Sequence, residues 1–217
     1  MKVTYGAIVQ RASGRFGGTV HSNWKGIDVV RRFAKPSNPN TASQVSVRNA
    51  FRYLTASFLL QSTNVRQSWD MYVTGKPLIN RNSWLGKNVA AIAGLLDLTG
   101  LSATPGDSST IPPVSVTPVG GVATITTTIV SPPVPAGWTI SECYAAACQD
   151  WDPSSLTAPT SAELQWFEQD DNTSPYVPVI AGLAAGTYRV FGFIGWMAPD
   201  GGLRYSASID GGTVVVT

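Results

Sequence analysis

The stretch Ser102-Ala103-Thr104-Pro105-Gly106-Asp107-Ser108-Ser109-Thr110-Ile111-Pro112-Pro113 divides the chain into two segments with different hydrophobic periods. Upstream, apolar residues recur at helical spacing. Downstream they come in short β-branched bursts punctuated by Gly and Pro. The pattern predicts an α+β chain: an N-terminal β-hairpin plus a small helical unit, followed by an all-β sandwich. The small, turn-forming residues of 102–113 predict a linker. The expected division is therefore 1–101, a linker at 102–113, and 114–217.

Charge follows the same division. Residues 1–100 hold thirteen of the fifteen Lys and Arg and three acids, Asp28, Asp70 and Asp97, a net +10. Residues 101–217 hold Arg189, Arg204 and ten Asp or Glu, a net −8, which restores the whole-chain +2. Three readings of this dipole stay open: modules that face different partners, one of them anionic; charge sets that are simply solvated faces; or halves that attract each other in an assembly. Only 13% of the 217 residues are charged, against about 25% in an average globular protein, so much of the surface is neutral. That suits a subunit covered by neighbours. Seven Trp point the same way, since Trp is enriched among interface anchors.

Residues 14–34 read as a β-hairpin: an arm from Gly14 to Ser22, a turn at Asn23-Trp24-Lys25-Gly26, and a return run from Ile27 to Phe33. The following Lys35-Pro36-Ser37-Asn38-Pro39-Asn40 cannot be helical, because each Pro biases its predecessor toward extended geometry. Thr41-Ala42-Ser43-Gln44 is a capping box that starts a helix. On it Val47, Phe51, Leu54 and Phe58 form one apolar stripe, with Arg48 and Arg52 beside it. A second helix is expected over 65–73 with Val65, Trp69, Tyr72 and Val73 inward, and a third over about 81–93. Strands are expected over 122–130, 138–148, 188–196, 203–209 and 212–217. The run Leu183-Ala184-Ala185-Gly186-Thr187-Tyr188 resembles the turn-then-Tyr entry into a late strand of fibronectin type III and immunoglobulin-like domains.

Catalytic and metal chemistry find little support, and no cofactor or metal is expected. His21 is the sole histidine and lies in a strand arm. Ser22-Asn23-Trp24-Lys25 matches a bare Ser-x-x-Lys pattern, but in a hairpin turn and without companion motifs. Asp150 and Asp152 are spaced like the start of a calcium loop, yet Ser155 and Ser161 stand where Gly and Glu are required. Cys143 and Cys148 are five apart, so on one strand they point to opposite faces and cannot pair. The first eleven residues lack a signal-peptide apolar run, and the longest apolar stretch, 89–96, is too short to span a bilayer. A soluble, cytosol-made product with no membrane partner is the expectation. The basic half offers phosphate partners for non-specific contact with nucleic acid, without a sequence-reading motif.

Residues 18–92 resemble a group of tailed-bacteriophage virion-associated proteins. The shared features are the Trp24-Lys25-Gly26 turn, the basic strand that ends in Arg31-Arg32, the segment Asn38-Pro39-Asn40-Thr41-Ala42-Ser43-Gln44, Arg48 and Phe51 on the next helix, Trp69, and Arg81-Asn82-Ser83-Trp84. The resemblance covers about a third of the chain and carries no catalytic motif. It implies a non-enzymatic structural role in the virion, head-associated as a decoration or minor capsid protein, or alternatively in the tail or neck. The implied partners are other virion proteins, further copies of the chain, and non-specifically the packaged genome. The expected docking set is Arg31, Arg32, Arg48 and Arg52, with Phe16, Trp24 and Phe33 as apolar contacts. Rival readings are a non-specific nucleic-acid-binding protein and a carbohydrate- or receptor-binding module that uses Trp151, Trp166 and Trp196.

Overall fold

The computed structural model describes residues 13–35, 37–95, 98–152 and 158–217. They form three helices and eleven strands in three sheets, a mixed architecture. The chain divides into two compact units, Met1–Asn40 and Thr41–Thr217.

The first unit is an antiparallel meander of β1 (Gly14–Phe16), β2 (Thr19–Trp24) and β3 (Ile27–Arg32), in that spatial order. The expected single arm 14–22 is therefore two strands. Gly17, at φ 56°, and Gly18 fold it back on itself, so that Phe16 faces Thr19. A positive φ at the first central residue of a two-residue turn is where Gly is needed, and the sequence supplies one.

The second unit carries α1 (Ala42–Leu60), α2 (Thr63–Val73) and α3 (Asn80–Leu95), then β4 (Ser115–Gly120), β5 (Thr124–Val130), β6 (Thr139–Gln149), β7 (Trp166–Asp171), β8 (Val179–Ala181), β9 (Gly186–Met197), β10 (Leu203–Tyr205) and β11 (Ile209–Val216). One sheet runs β10-β9-β6-β7 with β11 also on β9, and another runs β4-β5-β8. The boundary expected near 102–113 is not where this unit ends. Ala50, Tyr53, Leu54 and Phe58 of α1, Val65 and Trp69 of α2, and Trp84 and Ile92 of α3 share one core with Tyr144, Ala146, Cys148, Trp166, Phe191 and Phe193 of the large sheet. The opposite face of that sheet packs on β4-β5-β8 through Ile125, Ala145, Ala147, Ile180, Tyr188 and Val190. Covered on both faces, β6 is buried without a break from Cys143 to Cys148. The large sheet is the middle of three layers.

The segment read as a linker is bound into this unit. Trp69 Nε1 donates to the Ala103 carbonyl at 2.8 Å, and Thr104 Oγ1 donates to the Ser206 carbonyl at 2.7 Å. Trp196 Nε1 donates to the Ile111 carbonyl at 3.0 Å, and Leu101, Ala103 and Thr104 are buried. Proline and serine made the segment irregular. Its backbone groups nonetheless find partners in the helices and the sheet, as buried backbone must.

Candidate docking surface

The geometry of the first unit is set by its second turn. Lys25 and Gly26 are its central residues, at φ 49° and 79°, the positive pair that a type I′ hairpin turn requires. Asn23 clamps it: its Nδ2 donates to Asp28 Oδ1 at 2.9 Å, and its Oδ1 accepts from the Gly26 amide at 3.2 Å. Trp24 therefore faces Ile27, Ser22 faces Val29, and Val20 faces Arg31.

Because side chains alternate across a sheet, this register sorts them. One face carries Trp24, Ile27, Val20 and Val29, with Arg15 and Arg31 flanking Val20 from the two outer strands. Phe33 extends the same face past β3, and the Arg15 guanidinium lies 3.8 Å from its ring centre. The Lys25 ammonium lies 4.9 Å from the Trp24 ring. Phe16, His21 and Arg32 are on the other face, where Thr19 Oγ1 lies 3.3 Å from His21 Nε2.

None of the described residues of this unit is buried, and Trp24 is 64% exposed and Phe16 81%. A three-stranded sheet with no covered face lacks the apolar burial that makes such a sheet stable on its own. Its apolar side chains stay open to solvent.

The expected docking set is thus divided. Trp24, Phe33 and Arg31 share a face, whereas Arg32 and Phe16 are on its reverse. Arg48 and Arg52 belong to the second unit, exposed on α1. There the structure corrects the expected apolar stripe. Leu54 and Phe58 are buried, but Val47 is 46% and Phe51 50% exposed, beside those two arginines. The buried stripe runs instead through Ser46, Asn49, Ala50, Tyr53, Leu54, Ser57 and Phe58. The docking set expected from sequence left out Arg15, Ile27 and Val29, which share a face with Trp24. The signal was the two-residue Lys25-Gly26 turn, which fixes the register once it is placed correctly.

The remaining candidates have structural tasks. Trp151, Trp166 and Trp196 are buried, which removes the exposed platform expected for a glycan. Asp150 and Asp210 hold the buried Arg189 guanidinium, at 3.5 and 2.7 Å. Residues 153–157 of the candidate calcium loop, and the first twelve residues with the signal-peptide question, lie outside the described residues. Among the described residues no group of His, Cys, Asp or Glu could hold a metal, and no helix is long and apolar enough to cross a membrane. Cys143 and Cys148 are free and buried on opposite faces of β6, and burial pushes both thiols up to about 12. A cleft of about 590 Å³ opens between α2 and β10. Its cations are already engaged: Arg204 pairs with Asp200 at 2.7 Å, and the Lys76 ammonium sits 3.4 Å from the centre of the Tyr72 ring.

No protein-family model matches the chain, and no curated protein does. Among solved structures, the fibronectin(III)-like modules of Clostridium thermocellum CbhA are similar, at 18% identity and a TM-score of 0.27 over 48% of this chain. The match spans 43% of that chain, less than half its length. None of these assigns a family.

Proposed function

We propose that the chain is a non-enzymatic structural protein of a tailed-bacteriophage virion, head-associated as a decoration or minor capsid protein. In this reading the unit Thr41–Thr217 is the folded body and the basic sheet of the first unit docks it on the particle. One observation carries the docking role: a sheet of paired aromatic, aliphatic and cationic side chains with none of its described residues buried, in a chain whose other unit has a complete core. The virion assignment rests on the resemblance of residues 18–92. The two-sheet part of the body is read as an immunoglobulin-like sandwich, supported by Tyr188, whose hydroxyl donates to the Ala184 carbonyl at 3.0 Å as a tyrosine corner does.

The test has two arms. A mass-spectrometric census of purified particles should contain the chain. Replacing Arg31, Arg32, Arg48 and Arg52 together with Ala should lower its incorporation, and raised salt should mimic the loss, because exposed charges are screened beyond about 8–10 Å. Absence from particles rejects the virion role, and normal incorporation of the variant rejects electrostatic docking. The exposed Trp24 ring beside Lys25 favours a second reading, non-specific binding of single-stranded nucleic acid by stacking and charge. Steeply salt-dependent retention on an oligonucleotide column would support it.

A further inference from the structure

The partner of the basic sheet follows from the charge of the two units. The unit Met1–Asn40 holds seven Lys or Arg and one acid, a net +6, and Thr41–Thr217 holds eight against twelve, a net −4. We propose that the sheet of one copy docks on the acidic body of a second copy, so that the chain assembles head to tail. The proposal rests on the docking reading above and names its partner.

The acids of the body are unevenly placed. Between Asp150 and Tyr188 there are six Asp or Glu and no Lys or Arg. Asp150 is committed to Arg189. Glu168 is turned to the start of α2, where Ser62 and Asn64 donate to it. Asp170 is exposed on β7, which among the described residues pairs with β6 alone and so forms an outer strand of the large sheet. Asp171, the next residue, turns to the opposite face of β7 and accepts the Thr173 and Val177 amides at 2.9 and 2.7 Å. The whole stretch 88–188 carries no Lys or Arg, so Asp170 has no cation near it in sequence.

The docking face fits a protein better than a nucleic acid. Val20 on the central strand and Val29 and Ile27 on β3 form an apolar run that needs apolar cover, which a phosphate backbone does not provide. Arg15 and Arg31 stand at its two sides, two strand spacings or roughly 10 Å apart, placed to pair with carboxylates on either side of an apolar contact. The seven residues 34–40 between sheet and body span at most about 25 Å when extended, enough to reach an adjoining copy. Because the two surfaces differ, the contact is heterologous, and repetition gives a closed ring or an open chain.

Three full-length proteins test this by light scattering after gel filtration at low and high salt. They are the wild type, an arm variant Arg15→Glu/Arg31→Glu, and an edge variant Gln169→Lys/Asp170→Lys. All four positions are exposed, and unchanged thermal melts will show that the variants fold. The wild type should exceed a dimer at low salt and lose mass at high salt. Each variant alone should be monomeric, its self-association at least about tenfold weaker. An equimolar mixture of the two variants should give a dimer and nothing larger, because one intact arm meets one intact edge. A monomeric wild type, variants that associate like the wild type, or a mixture that stays monomeric would each overturn the second-copy partner. So would a monomeric wild type that binds an oligonucleotide through the arm, which would make nucleic acid the partner. If the wild type is monomeric but the arm variant is lost from particles, docking stands and only its partner is wrong. If the arm variant enters particles normally, the docking reading itself fails.

Discussion

Glu168 shows how one residue couples the helical and sheet layers, and it carries a pH signature. Its carboxylate accepts from Asn64 Nδ2 at 2.6 Å and from Ser62 Oγ, at the N-terminus of α2, where a negative charge is favoured. Burial nevertheless outweighs those bonds and raises its pKa above the ordinary 4.5. A carboxyl with a raised folded pKa adds stability below its unfolded pKa and loses it as pH rises through the folded one. Glu168→Gln, which cannot ionise, should therefore gain on the wild type from about pH 4 toward pH 7 in denaturant titrations. A difference that shrinks over that range would show that the bonds dominate. Gly192 is a second sensitive residue, set by close approach. A Cβ there would lie 2.4 Å from Val116 Cγ2, between β9 and β4. Gly192→Ala should cost about 1–3 kcal/mol by overpacking, and Val116→Ala in the same chain should recover part of it. Equal melting temperatures for Gly192→Ala and wild type would contradict that packing.

At the scale of elements, much was legible where one physical rule dominates. The start of α1 was readable because Thr41 is a strong cap: its Oγ1 accepts the Gln44 amide at 3.4 Å. Thr41→Ala should cost about 0.5–1 kcal/mol in chemical denaturation, and no loss would mean that the cap bond is idle. The buried face of α1 was only half legible. Leu54 and Phe58 turn inward as expected, but Ala50, Ser46 and Ser57 do so ahead of Val47 and Phe51. Small residues let α1 lie close enough to α3 for Trp84 Nε1 to donate to the Leu54 carbonyl at 3.0 Å, and hydrophobicity alone does not report that. Tyr72 is likewise half-exposed under Lys76, not inward. On β3, Arg31 and Arg32 looked like one cationic pair in sequence, yet strand alternation separates them by face.

For the whole molecule, the sequence marked two patterns, helical and extended, but not which surfaces meet. Helices and sheet share the core around Trp69, Trp84, Trp166 and Phe191, each ring centroid 5.6–6.2 Å from the next, and that contact is tertiary. The division at Asn40 and Thr41 was hidden because the Pro-rich run before Thr41 is shorter than the one at 102–113. Accessibility separates the two: all described residues of 33–40 are exposed, whereas 102–113 is stitched to both neighbouring layers. Limited proteolysis should therefore cut within 33–40 and leave a stable fragment that begins near Thr41. A stable fragment that begins near Thr117 would restore the linker reading.

The most direct test of the docking account is to remove residues 1–40 and follow the shortened chain into particles. The body 41–217 retains both core clusters that join its layers, so it should melt cooperatively at close to the full-length temperature. Quantitative mass spectrometry of purified particles should find it absent, or reduced at least about tenfold, beside full-length protein expressed at the same level. A folded body found in particles at the full-length occupancy would contradict the claim that the basic sheet is what docks this protein.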